Sequence, residues 1–209
     1  MKKLLITFIT CCLVATGVSA QMKSGILLGG GPWGGVNTKF STEMQAELTR
    51  YEINYKSNMM LGYRFRVPHY DFPAFLDIDP MIGLNNWNSE YNLKNQTQEP
   101  EDNGYQHDGP SNYSAQNNYF YGAVGVTANY TLFNNFSAGL GVAPTYWFST
   151  SGEESSGKFD IPLVAKIGYN LKYFELGLSY KHGLMNSIKT DYIQSGNFRD
   201  VQLSIWIPF

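Results

Sequence analysis

The amino-acid sequence predicts an all-β protein: a closed, antiparallel, transmembrane barrel of eight strands in up-and-down order. Three observations lead to this fold class. Apolar residues recur at every second position over much of the chain, which is the period of a β-strand with two different faces. The connections between these segments are alternately long and short. The composition combines 15 Tyr, 13 Phe, 4 Trp and 21 Gly with a mean hydropathy below zero, which suits strands with one lipid-facing side.

The first 20 residues carry the pattern of a secretory signal peptide. Lys2 and Lys3 precede an apolar run over residues 4–14, and Val18-Ser19-Ala20 places small residues at the cleavage positions. The run is too short for a membrane-spanning helix, which needs about 20 apolar residues. We therefore predict that residues 1–20 are cleaved and that residues 21–209 form one barrel domain.

Cys11 and Cys12 both lie in the segment that is predicted to be removed. A lipidation site at Cys11 would follow a Leu and small-residue pattern, which Phe8-Ile9-Thr10 lacks. The mature domain then has no cysteine for disulfides, thiolate metal sites or nucleophilic catalysis. Cleavage also removes two of the 15 basic residues, which leaves 13 against 17 acidic residues. This negative balance argues against nucleic acid as a partner.

Eight segments carry the alternation, and the last is the clearest. One of its faces is apolar throughout and the other holds Asp200, Gln202 and Ser204; the apolar residues are Val201, Leu203, Ile205, Ile207 and Phe209. In chain order the segments cover residues 24–36, 59–65, 76–84, 120–130, 136–142, 161–171, 174–181 and 200–209. Each has an oily face and a polar or small face, as a barrel strand requires.

The connections between the segments differ in length. Long ones cover residues 37–51, 89–117, 150–157 and 187–197, and short ones cover 67–73, 134–135 and 172–173. Outer-membrane barrels have this asymmetry, with short periplasmic turns and longer outer loops. A soluble, lipocalin-like barrel would show the same alternation with its faces exchanged. The signal peptide indicates only export. We favour the membrane barrel because glycines surround the inward charges and because aromatics gather near strand ends: Tyr146, Phe148, Tyr173, Phe174 and Phe209.

The interior of a barrel with about eight strands is only wide enough to be filled by side chains. Alternation places six charged residues on its inward face: Arg64, Asp77, Asp79, Lys166, Glu175 and Lys181. Opposite charges in that space are costly unless they are paired or hydrated. We interpret them as a salt-bridge network that plugs the barrel. The alternative is a proton or ion path, in which neutralising Lys166 or Lys181 changes the conductance.

The candidates for catalysis and metal binding are few. His69, His107 and His182 lack the spacing of metal ligands. A nucleophile and base would need His182 together with Ser179 or Ser187. We therefore predict a non-enzymatic protein with no catalytic residues, no metal site and no cofactor.

The predicted loop over residues 89–117 holds nearly all of the net negative charge of the mature chain. Its carboxylates outnumber the lone Lys94; they are Glu90, Glu99, Glu101, Asp102 and Asp108. Tyrosines among Asn and Gln in this loop could contact an extracellular ligand. The loop lacks the Asp-x-Asp-x-Asp spacing of a calcium site, so we favour a solvated acidic loop over a bound cation.

The last eight residues have the most specific pattern in the chain. Gln202-Leu203-Ser204-Ile205-Trp206-Ile207-Pro208-Phe209 ends in an aromatic and carries apolar residues at alternate positions. With the strand pattern of the whole mature chain, this segment resembles the small outer-membrane β-barrels of the porin family, represented by OmpX and the barrel domain of OmpA. The family commonly has Gly where Ser204 stands, and Pro208 is a second departure.

This resemblance implies a place in the bacterial outer membrane and contact with its lipid. It also implies that Gln202, Ile205, Ile207 and Phe209 form the signal that the outer-membrane assembly machinery reads, after periplasmic chaperones deliver the chain. Two functional hypotheses follow. The first is a non-enzymatic envelope or scaffold barrel that presents extracellular loops for binding or adhesion, and the second is a narrow porin-like channel for small solutes or ions. A lipid-modifying enzyme is a third, because barrels of this shape carry unrelated functions.

Overall fold

The computed structural model describes residues 22–42, 48–93, 112–133, 135–150, 159–188 and 193–209. These residues form ten strands: β1 (Lys23–Phe40), β2 (Leu48–Pro68), β3 (Ala74–Leu93), β4 (Asn112–Phe133), β5 (Phe136–Val142), β6 (Thr145–Thr150), β7 (Phe159–Asp160), β8 (Leu163–Asn170), β9 (Glu175–His182) and β10 (Ile193–Pro208). Within the described part of the chain, no helix is long and apolar enough to cross a membrane.

The strands form one closed antiparallel sheet with eight positions. Strands that follow each other in the chain pair side by side, except β5 with β6 and β7 with β8, and β1 pairs with β10 to close the ring. Two positions are each shared by two strands: β5 and β6 pair with the same strand, β4, and in turn pair with β8 and β7. The predicted eight-stranded, up-and-down barrel is confirmed, and its closure leaves no sheet edge to satisfy.

Prolines account for both interruptions. Pro144 lies between β5 and β6 and Pro162 between β7 and β8, and proline has no N–H to donate to a ladder. Their carbonyls still accept hydrogen bonds, from the Val124 N–H at 3.0 Å and the Ala143 N–H at 2.9 Å respectively. The barrel wall therefore continues through both interruptions.

Apolar side chains cover the outside of the barrel between two belts of aromatic residues. On β4, Phe120 and Tyr130 belong to the two belts, and Val124, Val126 and Ala128 lie between them on the outward face. Ten residues of strand, tilted by about 40–45°, span roughly 24 Å of height, close to the apolar band of about 25 Å in outer-membrane barrels. Other large apolar side chains exposed here are Leu61, Ile82, Leu140, Leu163, Leu203 and Ile205.

Several strands continue past this apolar band, and the predicted loop limits were wrong there. The strand β3 runs to Leu93 and β4 begins at Asn112, so both ends of the predicted loop over residues 89–117 belong to strands. The remaining residues of that loop, 94–111, lie outside the described residues. The predicted loops over residues 37–51 and 187–197 shorten in the same way, because β1 ends at Phe40, β2 begins at Leu48 and β10 begins at Ile193. The predicted limits 150–157 agree to within about one residue, since β6 ends at Thr150 and β7 begins at Phe159.

Residues 48–58, 85–93 and 112–119 form the part of the barrel wall beyond the apolar band. We call this part the raised sheet. Its two faces exchange their polarity relative to the band. The inward face carries apolar residues such as Trp87 and Tyr119, both nearly inaccessible, whereas the outward Asn86 donates a hydrogen bond to Asn118 at 2.6 Å. A water-soluble barrel has this arrangement. Strands were predicted only where apolar residues face outward, and this exchange explains the wrong limits.

Candidate functional site

The six charged residues that alternation places inside the barrel are all buried in the structure. Each is at most 9% exposed: Arg64, Asp77, Asp79, Lys166, Glu175 and Lys181. Arg66 lies among them at 8% exposure, and the sequence analysis missed it because it follows the last residue of the predicted strand. Its position two residues after Arg64 was the signal that could have found it, since alternate residues of a strand share a face.

Two arginine–aspartate pairs form one wall of the site. Arg64 donates two hydrogen bonds to the carboxylate of Asp79, both at 2.8 Å, and Arg66 donates two to Asp77 at 2.7 and 2.9 Å. Arg66 and Asp77 are direct partners in the register of β2 and β3. Bidentate pairs of this kind are strong and fix the orientation of both side chains.

Residues from the opposite wall complete this arrangement, which we call the ion cluster. Glu175 on β9 accepts hydrogen bonds from Arg64 at 3.0 Å and from Arg66 at 2.6 and 3.0 Å. Lys166 on β8 donates to Asp77. The ion cluster thus holds three cations and three carboxylates, each paired, and this balance offsets the cost of taking the charges out of water.

Small residues on the inward face leave the space that the ion cluster fills. A Cβ on Gly168 would lie 3.2 Å from the carboxyl group of Glu175, and one on Gly125 would lie 3.4 Å from the Cβ of Asp79. The contact at Gly168 is tighter than a side chain normally makes, so this glycine is part of the site, whereas the contact at Gly125 is an ordinary van der Waals contact.

Aromatic rings cover the ion cluster toward the end with the short turns. The guanidinium of Arg66 lies 4.0 Å from the ring centroid of Phe75 and 4.3 Å from that of Trp206. Both distances are within the range of cation–π attraction. The lumen is therefore filled at this level by paired charges and stacked rings.

A second pair of charges lies nearer the raised sheet. Asp200 accepts hydrogen bonds from the Tyr55 hydroxyl at 2.7 Å and the Asn85 amide at 3.0 Å. The ammonium group of Lys181 instead lies 3.6 Å from the sulfur of Met81. The sequence analysis placed Asp200 on the polar face of the last strand but did not include it among the interior charges.

An aromatic cluster closes the interior at the level of the raised sheet. The ring centroid of Trp147 lies 4.6 Å from that of Phe198, 5.1 Å from that of Tyr121 and 6.0 Å from that of Tyr119. Trp87 stacks on Tyr119 from the other side. All five rings are less than 5% exposed, so this level has a packed apolar core.

The structure separates the residues that were considered for catalysis. Ser179 faces the interior, and His182 lies on the other face of the same strand, where its Nδ1 is 3.4 Å from the Tyr180 hydroxyl. His69 accepts a hydrogen bond from the Asp71 N–H in a short turn, and His107 lies outside the described residues. In the part of the chain that the structure describes, no group of three His, Cys, Asp or Glu could hold a metal ion.

The four residues of the predicted assembly signal divide between the faces of β10. Gln202 is fully buried in the interior, whereas Ile205 and Ile207 face outward at 42% and 44% exposure and Phe209 is 75% exposed. Recognition of these residues by the assembly machinery stays a prediction.

The distribution of polar and apolar side chains decides which solvent surrounds the barrel. Over the apolar band the interior holds the ion cluster, and the exterior holds leucines and isoleucines such as Leu140, which is 71% exposed. A soluble barrel has the opposite arrangement. Lipid is the solvent that suits an apolar exterior around a closed hydrogen-bonded wall. The chain folds as a membrane-spanning β-barrel.

Comparisons with known proteins find similar solved structures of this class. The outer membrane protein OprG from Pseudomonas aeruginosa is 12% identical, with a TM-score of 0.47 over 90% of this chain and 91% of that chain. Ail, the attachment invasion locus protein of Yersinia pestis, is 13% identical, with a TM-score of 0.37 over 90% of this chain and 98% of that chain. No protein-family model and no curated protein matches the sequence.

The Leu140→Arg substitution tests the lipid-facing surface of this β-barrel. Leu140 lies in the middle of the apolar band, and a charge at that depth costs about 2–4 kcal/mol in a lipid bilayer. We expect this loss in the free energy of unfolding, measured by denaturant titration in lipid vesicles. Gln116→Arg, on the exposed outward face of the raised sheet, is the control and should change it by less than about 0.5 kcal/mol. Equal, small effects at both sites would contradict the membrane placement.

Proposed function

We propose that this protein is a non-conducting envelope barrel that carries its extracellular loops, as binding or adhesive elements, on a rigid support above the membrane. The observation that carries the proposal is an interior filled at two levels. The ion cluster fills the lumen within the apolar band, and the aromatic cluster around Trp147 fills it at the raised sheet. An ion crossing the lumen would have to displace both.

The raised sheet supports the second half of the proposal. Its strands continue for about ten residues past the apolar band, which corresponds to roughly 20 Å above the lipid surface at the usual tilt. Regular pairing persists to the last described residues, with Asn92 opposite Asn112. The connection over residues 94–111 therefore starts from ordered strands. It carries Glu99, Glu101, Asp102 and Asp108 against the single Lys94, so its charge favours a basic or polar partner.

Single-channel recording of the refolded mature protein in planar bilayers tests the absence of conduction. We expect no reproducible openings at 1 M KCl, in samples whose heat-dependent gel mobility shows that the barrel has formed. Openings that change in size when Lys166 or Lys181 is replaced by Met would contradict the proposal and establish the narrow channel.

Replacement of residues 94–111 by a short Gly/Ser turn tests the role of the loop. We expect loss of adherence of cells that display the protein to a protein-coated surface, with unchanged heat-dependent gel mobility. The matched control replaces residues 151–158 in the same way and should keep adherence. Adherence that persists without residues 94–111 would remove this loop from the proposal.

A further inference from the structure

Lys181 is a buried cation without a carboxylate partner. It is 9% exposed, and within the described ranges no carboxylate oxygen lies within 4.0 Å of its ammonium nitrogen. Its contacts are the sulfur of Met81 at 3.6 Å, which is a weak acceptor, and the ring of Tyr121, whose centroid lies 5.9 Å away, at the outer limit of cation–π attraction. An ammonium group removed from water needs an anion or a set of acceptors, so the protein atoms here leave that need unmet.

Asp200 lies directly opposite Lys181 in the register of β9 and β10, but its carboxylate is directed elsewhere. Its two oxygens accept hydrogen bonds from Tyr55 and Asn85 on β2 and β3. The carboxylates of the ion cluster are likewise held by Arg64, Arg66 and Lys166. Lys181 is therefore the cation of the interior whose own charge is least compensated by the side chains around it.

A small cavity in the barrel interior is lined in part by Lys181. Its volume is about 20 Å³, and Arg64, Lys166, Lys181, Asp79, Ser179 and Ser204 are among the residues that line it. A cavity must offer at least about 10–15 Å³ to hold one water-sized particle, so this one admits a single small species and excludes oxyanions such as sulfate. Three cationic side chains against one carboxylate give its wall a positive charge.

We propose that this cavity is a binding site for one small monatomic anion of the halide type. Lys181 supplies the principal charge, and Lys166 and Arg64 contribute attraction from the ion cluster. Asp79 opposes the anion, but both of its oxygens accept hydrogen bonds from Arg64, which reduces that repulsion. The bound anion compensates the charge of Lys181 and links the ion cluster to the level of Asp200.

Bromide is the probe for this site, because its anomalous scattering identifies it in a crystal. We expect crystals of the mature protein soaked in sodium bromide to show one anomalous peak in the cavity, at hydrogen-bonding distance from the Lys181 Nζ. Lys181→Met removes the charge with little change in volume and should abolish the peak. Lys172→Met, in an exposed turn, is the matched control and should keep it. A peak of equal height in the Lys181→Met protein, or a water molecule at this position in bromide-soaked crystals, would overturn the proposal.

A second measurement uses the unaltered protein and so does not depend on whether the Lys181→Met protein folds. An anion that binds only the folded barrel stabilises it by mass action. We expect the midpoint of heat-induced unfolding to be about 3 °C higher in sodium bromide than in sodium gluconate at equal ionic strength. Equal midpoints in the two salts would contradict an anion site. Neither result depends on whether the lumen conducts, so this test stands apart from the bilayer recordings.

Discussion

Asp77→Asn is expected to lower the free energy of unfolding by about 3–5 kcal/mol, the cost of breaking a buried ion pair on one side. Asp77 is fully buried and accepts hydrogen bonds from Arg66 and Lys166. Replacing it by the neutral amide leaves three cations of the ion cluster facing two carboxylates. Reversible urea unfolding in lipid vesicles, followed by tryptophan fluorescence and heat-dependent gel mobility, measures the loss.

The double variant Asp77→Asn/Lys166→Met restores the balance of charge, with two cations facing two carboxylates. We expect it to be more stable than Asp77→Asn alone, because the ammonium group left unpaired by the first change is gone. Residues in one network deviate from additivity by about 0.5–3 kcal/mol. A double variant that loses the full sum of the two single effects would show that Asp77 and Lys166 act independently, and would contradict the ion cluster as described.

The sequence predicted six of the charged side chains that enter the interior, because alternation along a strand determines the face on which each residue lies; it missed Arg66 and Asp200. It could not predict which of them pair. Glu175 and Arg64 are 111 positions apart in the chain, and they meet because the stagger of strands around the closed ring brings β9 opposite β2. That stagger follows from the hydrogen-bond register of every strand pair together, which no single segment contains.

The strand limits show a second reason why prediction from the sequence was incomplete. In the band the apolar face of each strand points outward, and in the raised sheet it points inward, as Trp87 and Tyr119 do. Apolar residues still recur at every second position in the raised sheet, but there they no longer face outward. For the same reason Tyr55 and Asn85 lay outside the predicted strands, although their hydrogen bonds to Asp200 direct that carboxylate away from Lys181.

Trp147→Ala is expected to lower the free energy of unfolding by about 3–5 kcal/mol, the usual loss when a large aromatic side chain is truncated in a packed core. Trp147 is 4% exposed and contacts the rings of Phe198, Tyr121 and Tyr119. If the outer end of the lumen were instead a hydrated vestibule, Trp147→Ala would remove few side-chain contacts. The free energy of unfolding would then change little. Urea unfolding in lipid vesicles distinguishes these cases.

Phe148→Ala is the matched control, because Phe148 is the next residue of β6 and faces outward at 61% exposure. We expect it to cost about 1 kcal/mol or less. Equal losses at both positions would contradict a packed core at the raised sheet. In planar bilayers the Trp147→Ala protein should still be silent, since the ion cluster fills the lumen independently within the apolar band. Conduction in this variant alone would mean that the aromatic cluster, rather than the ion cluster, is the barrier that keeps the barrel closed.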